Sequence, residues 1–312
     1  MKLISYKLRG KPGDYRIGSV IDDRRIIDVQ DAYRQLLLSN HQKDGASAIE
    51  QFLPSDPDKF YSMGKIAVER AGEALDFCKD SQEQSFIIEK EDTYIGPPVP
   101  NPSKIICIGT NYADHVAEMK SDIPEFPVLF AKFNNALIGP DDNIHKPSAT
   151  EKLDYEVELA VVIGQEASRV KKEQALQYIA GYSIGNDTSA RDLQKRTPQW
   201  LQGKSLDNST PVGPWLVTAD EIPDPSQLAI RSYVNGEERQ SSNTSKLIFD
   251  IPTLIDFISH LITLKPGDII LTGTPDGVGF AMDPPAFLKE GDTVRMEIEK
   301  IGVLENNVVE SK

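Results

Sequence analysis

Apolar and polar positions alternate in short runs along this chain, and helical spacing is confined to a few segments. KLISYKL, YRIGSVID and RIIDVQ predict three strands joined by charged turns, followed by helices over DAYRQLLLS and residues 62–79. YIGPPVPNPSK, rich in proline and glycine, is the strongest boundary signal in the chain. Beyond it, KIICIG, PVLFAKF, LDYEVELAVVIG, GYSIGND, GPWLVT, AIRSYVNG, GDIILTG and DTVRMEIE predict strands. KKEQALQYIA and IPTLIDFISHLI predict helices, and the polar, proline-bearing TNYADHVAEMKSDIPEFP a short helix or loop. Helices do not alternate regularly with strands, so the expected class is α+β with a large mixed or antiparallel sheet system. Residues 1–100 are expected to form a small N-terminal α/β subdomain and residues 101–312 the main domain.

Composition narrows the function more than the fold. With 312 residues, 39% of them hydrophobic, the chain can bury a large core. Its 48 acidic residues against 34 lysines and arginines give a net charge of -14, which argues against a nucleic-acid partner. An anionic small molecule would need a metal or well-placed cations to bind. Cys78 and Cys107, in helical and strand-like surroundings, read as reduced structural thiols, and a cytoplasmic location is expected. MKLISYKLRG lacks the apolar segment of a secretory signal, and no run approaches the roughly 20 apolar residues of a membrane span.

The candidate chemistry begins in LDYEVELAVVIG. Strand alternation puts Glu156 and Glu158 on one face, with Cβ atoms roughly 7 Å apart. Such a pair is either a solvated strand face or two ligands of one cation, because two carboxylates in a dry site repel unless a cation compensates. Asp187 ends GYSIGND, where a strand terminus can aim a third oxygen at the same ion, and Asp192 follows it. An all-oxygen set suits Mg²⁺ or Mn²⁺. The histidines at 41, 115, 145 and 260 have no paired zinc-ligand spacing. His115 and Glu118, three apart, would face each other on one helical turn, as a general base oriented by a carboxylate or as an incidental surface pair. Lys204 and Arg191 could offset a substrate carboxylate or an enolate. The loop GTPDGVG, with Thr274, could offer N–H groups and a hydroxyl to an anion. It matches neither a P-loop nor a dinucleotide fingerprint.

Five pieces in order, IGTNYADHVAEM, LDYEVELAVVIG, GYSIGNDTSARDLQ, GKSLD and GTPDGVG, resemble the fumarylacetoacetate hydrolase family over residues 103–307. The preceding region is similar to a smaller N-terminal extension of some bacterial members. The resemblance implies a mixed β-roll holding Mg²⁺ or Mn²⁺ through Glu156, Glu158 and Asp187. It also implies a general-base dyad of His115 and Glu118, an oxyanion or enolate lysine at Lys204, substrate contacts from Arg191, Gln194 and Thr274, and a homodimer. A small 2-oxo acid is the implied substrate, since such an acid can chelate a metal through its carboxylate and keto oxygens.

Metal-dependent hydrolysis of a C–C bond in an acylpyruvate or related 1,3-diketo acid is the leading expectation. His115 would deprotonate water, and the departing enolate would be stabilised by metal and lysine. Oxaloacetate decarboxylation and keto-enol isomerisation of a 2-oxo acid are alternatives on the same site, and a non-catalytic metal-binding scaffold is the third class.

Overall fold

The structure is a computed structural model that describes residues 1–81 and 84–311. Among these residues twelve strands form one mixed sheet. Its spine is Val157–Ile163, every residue of which is buried, with Ile179–Asn186 and Ile269–Leu271 antiparallel on its two sides. Burial on both faces explains why VELAVVI reads as a nearly unbroken apolar run. The sheet continues one way through Thr210–Thr218, Lys2–Leu8, Arg16–Val20, Arg25–Asp28 and Ile87–Glu89. The other way it runs through Ile105–Gly109, parallel to Ile269–Leu271, to Val128–Lys132. A second sheet of five strands has the order Glu237–Asn243, Ala229–Val234, Thr293–Ile298, Gly302–Glu310, Ile144–Lys146. The result is the α+β class expected from the irregular spacing of helices.

Alternation along the spine divides the core. Leu159, Val161 and Ile163 join a cluster with Ile255 and Ile258 of the Ile251–Leu261 helix and with Ile230 and Met296 of the five-stranded sheet. Ala160 and Val162 join the opposite cluster, which also holds Leu3, Ile17, Phe60 and Ala67. Residues 1–100 therefore share a core with the rest of the chain, and their first strand pairs with Thr210–Thr218 through Lys2↔Val217 and Leu3↔Leu216. The proline-rich segment near residue 100 separates stretches of sequence whose strands are hydrogen-bonded to one another.

Two local expectations change. The helix expected over KKEQALQYIA is a 3-10 helix, Lys172–Tyr178, followed at once by the Ile179–Asn186 strand. Only Ala175 of its seven residues is buried, while Ile179 pairs with Ile163, so sheet pairing captures the end of the segment. The Ile251–Leu261 helix forms as its sequence predicts, with Asp250 capping Thr253 N and proline in its first turn. LDYEVELAVVIG is two strands, not one. Leu153–Asp154 pairs with Ser189–Ala190, and the large sheet takes over at Val157. At the break side chains replace the ladder: Glu156 N donates to Asn186 Oδ1 and Val157 N to Gln240 Oε1, both at 3.0 Å. No helix of the described residues is long and apolar enough to cross a membrane.

Gly181 marks a close backbone approach between two strands of the large sheet. A Cβ there would stand 2.1 Å from the Val217 carbonyl oxygen, and backbone in mid-sheet cannot retreat. G181A is expected to destabilise the protein by about 1–3 kcal/mol or more, read as a lower urea midpoint at unchanged slope. A midpoint equal to wild type would show that the Ile179–Asn186 and Thr210–Thr218 strands can move apart.

Candidate active site

Antiparallel pairing brings the expected carboxylates together. Val157 stands opposite Asn186 and Glu158 opposite Gly185, and Asp187 N donates to Glu156 O at 3.0 Å. Carboxylate oxygens of Glu156, Glu158 and Asp187 consequently lie within 4.8 Å of one another. Their relative exposures are 4%, 2% and 0%, which excludes a solvated strand face.

Burying so much negative charge requires partners. Lys204 Nζ donates to Glu156 Oε2 at 2.8 Å and to Asp187 Oδ2 at 2.7 Å. Lys132, itself fully buried, donates to Asp187 Oδ1 at 2.7 Å and to the Thr188 carbonyl at 3.0 Å. Arg191 Nε donates to Asp154 Oδ2 at 2.8 Å, and its Nη2 lies 2.6 Å from Glu156 Oε1 as an ion pair without hydrogen-bond alignment. Burial alone would raise Glu156, but Lys204 and Arg191 outweigh it and hold the carboxyl far below the usual range. Burial alone would lower Lys204, and Asp187 and Glu156 reverse that. Glu158 goes the other way from Glu156. Burial, then repulsion from Asp187 and Glu156, pushes it well above the ordinary glutamate range despite Lys204 and a 2.7 Å hydrogen bond from Gly273 N.

Four buried carboxylates, counting Asp154, thus meet three buried cations, and both Glu158 and Asp154 are pushed above their ordinary range, Glu158 strongly. A divalent cation fits this donor set on two counts. The converging ligand atoms are all carboxylate oxygens, the hard donors that Mg²⁺ and Mn²⁺ prefer. The excess of negative over positive charge in the cluster also favours a bound cation.

The Ala113–Glu118 helix places His115 Nδ1 2.7 Å from Glu118 Oε1, and Glu118 Oε2 accepts from Gly277 N at 2.9 Å. Gly277 sits at φ 97°, and a Cβ there would stand 2.0 Å from the Arg239 carbonyl oxygen, so glycine is required where the loop meets the helix. A cavity of about 340 Å³ joins these parts. All the expected site residues line it except Glu118, which stands behind His115. Phe130 and Trp200, edge to face at 5.2 Å between ring centroids, form part of its apolar wall. A larger cavity of about 860 Å³ around Met1, Lys65 and Leu176 contains none of these groups. Arg191, expected to face substrate, is committed to Asp154 and Glu156, and it also donates from Nη1 to Gln194 Oε1 at 3.1 Å.

Sequence reasoning missed Asp154, Lys132 and Gln240. Asp154 continues the period-two series of Glu156 and Glu158. Lys132 is a lysine inside the apolar PVLFAKF, a pattern that signals a buried cation with a partner. Gln240, in the polar GEERQSSN, gives no such signal.

A mixed sheet carrying a buried carboxylate triad and a histidine–glutamate dyad across a small cavity has the build of an enzyme acting on small molecules. Residues 104–309 match the family described as Fumarylacetoacetate (FAA) hydrolase C-terminal, about two thirds of the chain, and the chain belongs to this family. It is 43% identical over 265 residues to "Oxaloacetate tautomerase fahd2, mitochondrial" of Xenopus laevis, covering 84% of this chain and 81% of that one. To "Oxaloacetate tautomerase YisK" of Bacillus subtilis it is 43% identical over 296 residues, covering 94% and 95%. The solved structure of maleylpyruvate hydrolase from Sphingobium sp. SYK-6, in complex with manganese(II) ion and pyruvate, superposes with a TM-score of 0.74 at 27% identity over the whole of both chains.

Metal binding has a readout independent of turnover. At a Mn²⁺ concentration a hundredfold above the dissociation constant, the folded state should gain about 2.7 kcal/mol, seen as a raised thermal midpoint. Glu158→Gln should fold and lose most of this gain. Because Glu158 titrates higher folded than unfolded, its contribution is full below the unfolded range and is lost as pH rises through the folded value. The metal-free variant should therefore be at least as stable as wild type at neutral pH. An undiminished Mn²⁺ shift in the variant would remove Glu158 from the ligand set.

Proposed function

We propose that this protein is a divalent-metal-dependent tautomerase of oxaloacetate, interconverting its enol and keto forms, with Glu156, Glu158 and Asp187 holding Mg²⁺ or Mn²⁺. The observation that carries this reading is the His115–Glu118 pair, 2.7 Å apart, on the wall of the cavity that holds the three carboxylates. The bound ion would supply a Lewis acid for the keto and carboxylate oxygens of a 2-oxo acid. His115, oriented by Glu118, would move a proton to or from C3 of the substrate. Lys204 has three N–H donors and spends two on Glu156 and Asp187, which leaves one for the oxygen that gains charge as the enolate forms. Phe130 and Trp200 would keep water from part of the site, and Gln194 and Thr274 would fix the substrate's orientation.

Proton transfer at carbon asks less of this site than hydrolysis does, since it needs no positioned water. The two tautomerase relatives also resemble the chain more closely than the maleylpyruvate hydrolase does, at 43% identity against 27%. That hydrolase supports C–C cleavage of an acylpyruvate as the second reading, with His115 taking a proton from water. A homodimer, proposed from family resemblance, is checked by light scattering.

The test follows enol absorbance and pyruvate release together, with Mg²⁺ present. Wild type should accelerate enol–keto conversion of oxaloacetate without matching pyruvate formation, and H115A should lower the rate by about 10²–10⁴-fold. Pyruvate appearing as fast as the enol decays would replace this function by decarboxylation. Undiminished tautomerisation in folded H115A would remove the proposed proton carrier.

A further inference from the structure

Gln240, in the Glu237–Asn243 strand and 1% exposed, makes four hydrogen bonds at the back of the site. Its Oε1 accepts from Val157 N at 3.0 Å and from Ser232 Oγ at 2.9 Å. Its Nε2 donates to Thr274 Oγ1 and to the Pro275 carbonyl, both at 2.8 Å. Two of these partners admit only one polarity, because a backbone N–H can only donate and a carbonyl can only accept. Turning the amide over would set N–H against N–H at Val157 and oxygen against oxygen at Pro275. The orientation is therefore fixed by chemistry, and with it the sense of the bond to Thr274, whose oxygen must accept.

A threonine hydroxyl has a single proton to give. Among the described residues no protein acceptor takes the Thr274 proton, although Thr274 is 4% exposed and lines the cavity with the three carboxylates. We propose that Gln240 is a positioning residue that turns the Thr274 O–H into the cavity, as a donor to a carboxylate oxygen of the bound 2-oxo acid. The ligand class rests on the function proposed above, while the direction of the hydroxyl rests only on the hydrogen bonds. The same amide holds Val157 between Glu156 and Glu158, so one side chain sets both the strand bearing the carboxylates and the polarity of the hydroxyl facing them.

Oxalate, a stable 2-oxo acid mimic, tests this by calorimetry on the Mg²⁺-loaded protein. T274V keeps the size and loses the donor, and should weaken oxalate about tenfold or more, the loss expected for one hydrogen bond to a charged acceptor. Q240E offers Thr274 an acceptor, draws the hydroxyl proton away from the cavity, and should weaken oxalate comparably. The double variant should bind no more weakly than either single one, and T274S should stay within about twofold of wild type. Losses that multiply in the double variant overturn the proposal, as does wild-type affinity in Q240E. Should Q240E not fold, Q240M, which keeps the length and removes the amide donor, takes its place, and oxalate bound as tightly as by wild type in Q240M or in T274V overturns the proposal. Oxalate binding needs no turnover. A protein that shows the non-additive pair but leaves oxaloacetate untouched sinks the tautomerase function and spares this inference.

Discussion

The contact of Lys204 with both Glu156 and Asp187 is the interaction on which the rest of the site depends. A carboxylate moved from water into a protein interior is penalised by several kcal/mol, and only close, well-aligned opposite charge makes such burial tolerable. Here that constraint dictates the course of the chain. Asp187 leaves the end of a strand, and the segment after it must fold back so that Arg191 and then Lys204 return to the carboxylates. Lys132 reaches the same group from the Val128–Lys132 strand. Elements far apart in sequence are thus held to one point by charge, and the apolar clusters fill the space around it.

The histidine–glutamate half of the site depends on a second meeting of distant parts. Glu118 accepts from Gly277 N with one oxygen and meets His115 with the other. The imidazole is consequently oriented by its own helix and by a loop that also carries Thr274. Lys246 pairs with Asp114 at 2.7 Å, and Ile248 N donates to Asn111 O at 2.8 Å, fastening the same helix at its start. A pair assembled across such contacts has its geometry only while helix and loop are together.

Much of this was legible in the sequence, for physical reasons that differ from part to part. The strand period exposed the Glu156–Glu158 pair, and helical spacing exposed His115–Glu118, because both signals are local. The order of the family motifs tied Asp187, Lys204, Arg191, Gln194 and Thr274 to one site. What stayed hidden was set by tertiary pairing. Nothing in KKEQALQYIA reveals that Ile179 will be drawn into a strand, and nothing near residue 100 reveals that Leu3 will pair with Leu216. Arg191 could be placed at the site, but its commitment to Asp154 required seeing Leu153–Asp154 pair with Ser189–Ala190. Gln240 had no local signature, since its partners lie on three other segments.

The break in the strand ladder at Glu156 and Val157 also has a dynamic meaning. In a regular sheet an amide proton is held by a neighbouring strand and is released when the strands separate. These two amides are held by the side chains of Asn186 and Gln240. Their exchange with solvent deuterium therefore reports side-chain opening around the carboxylates, at Glu156 together with movement of the neighbouring strand that carries Asn186 and at Val157 together with movement of the strand that carries Gln240. Two adjacent protons, buried beside the charge cluster, form a native probe of how firmly the site is held, without any label or substitution.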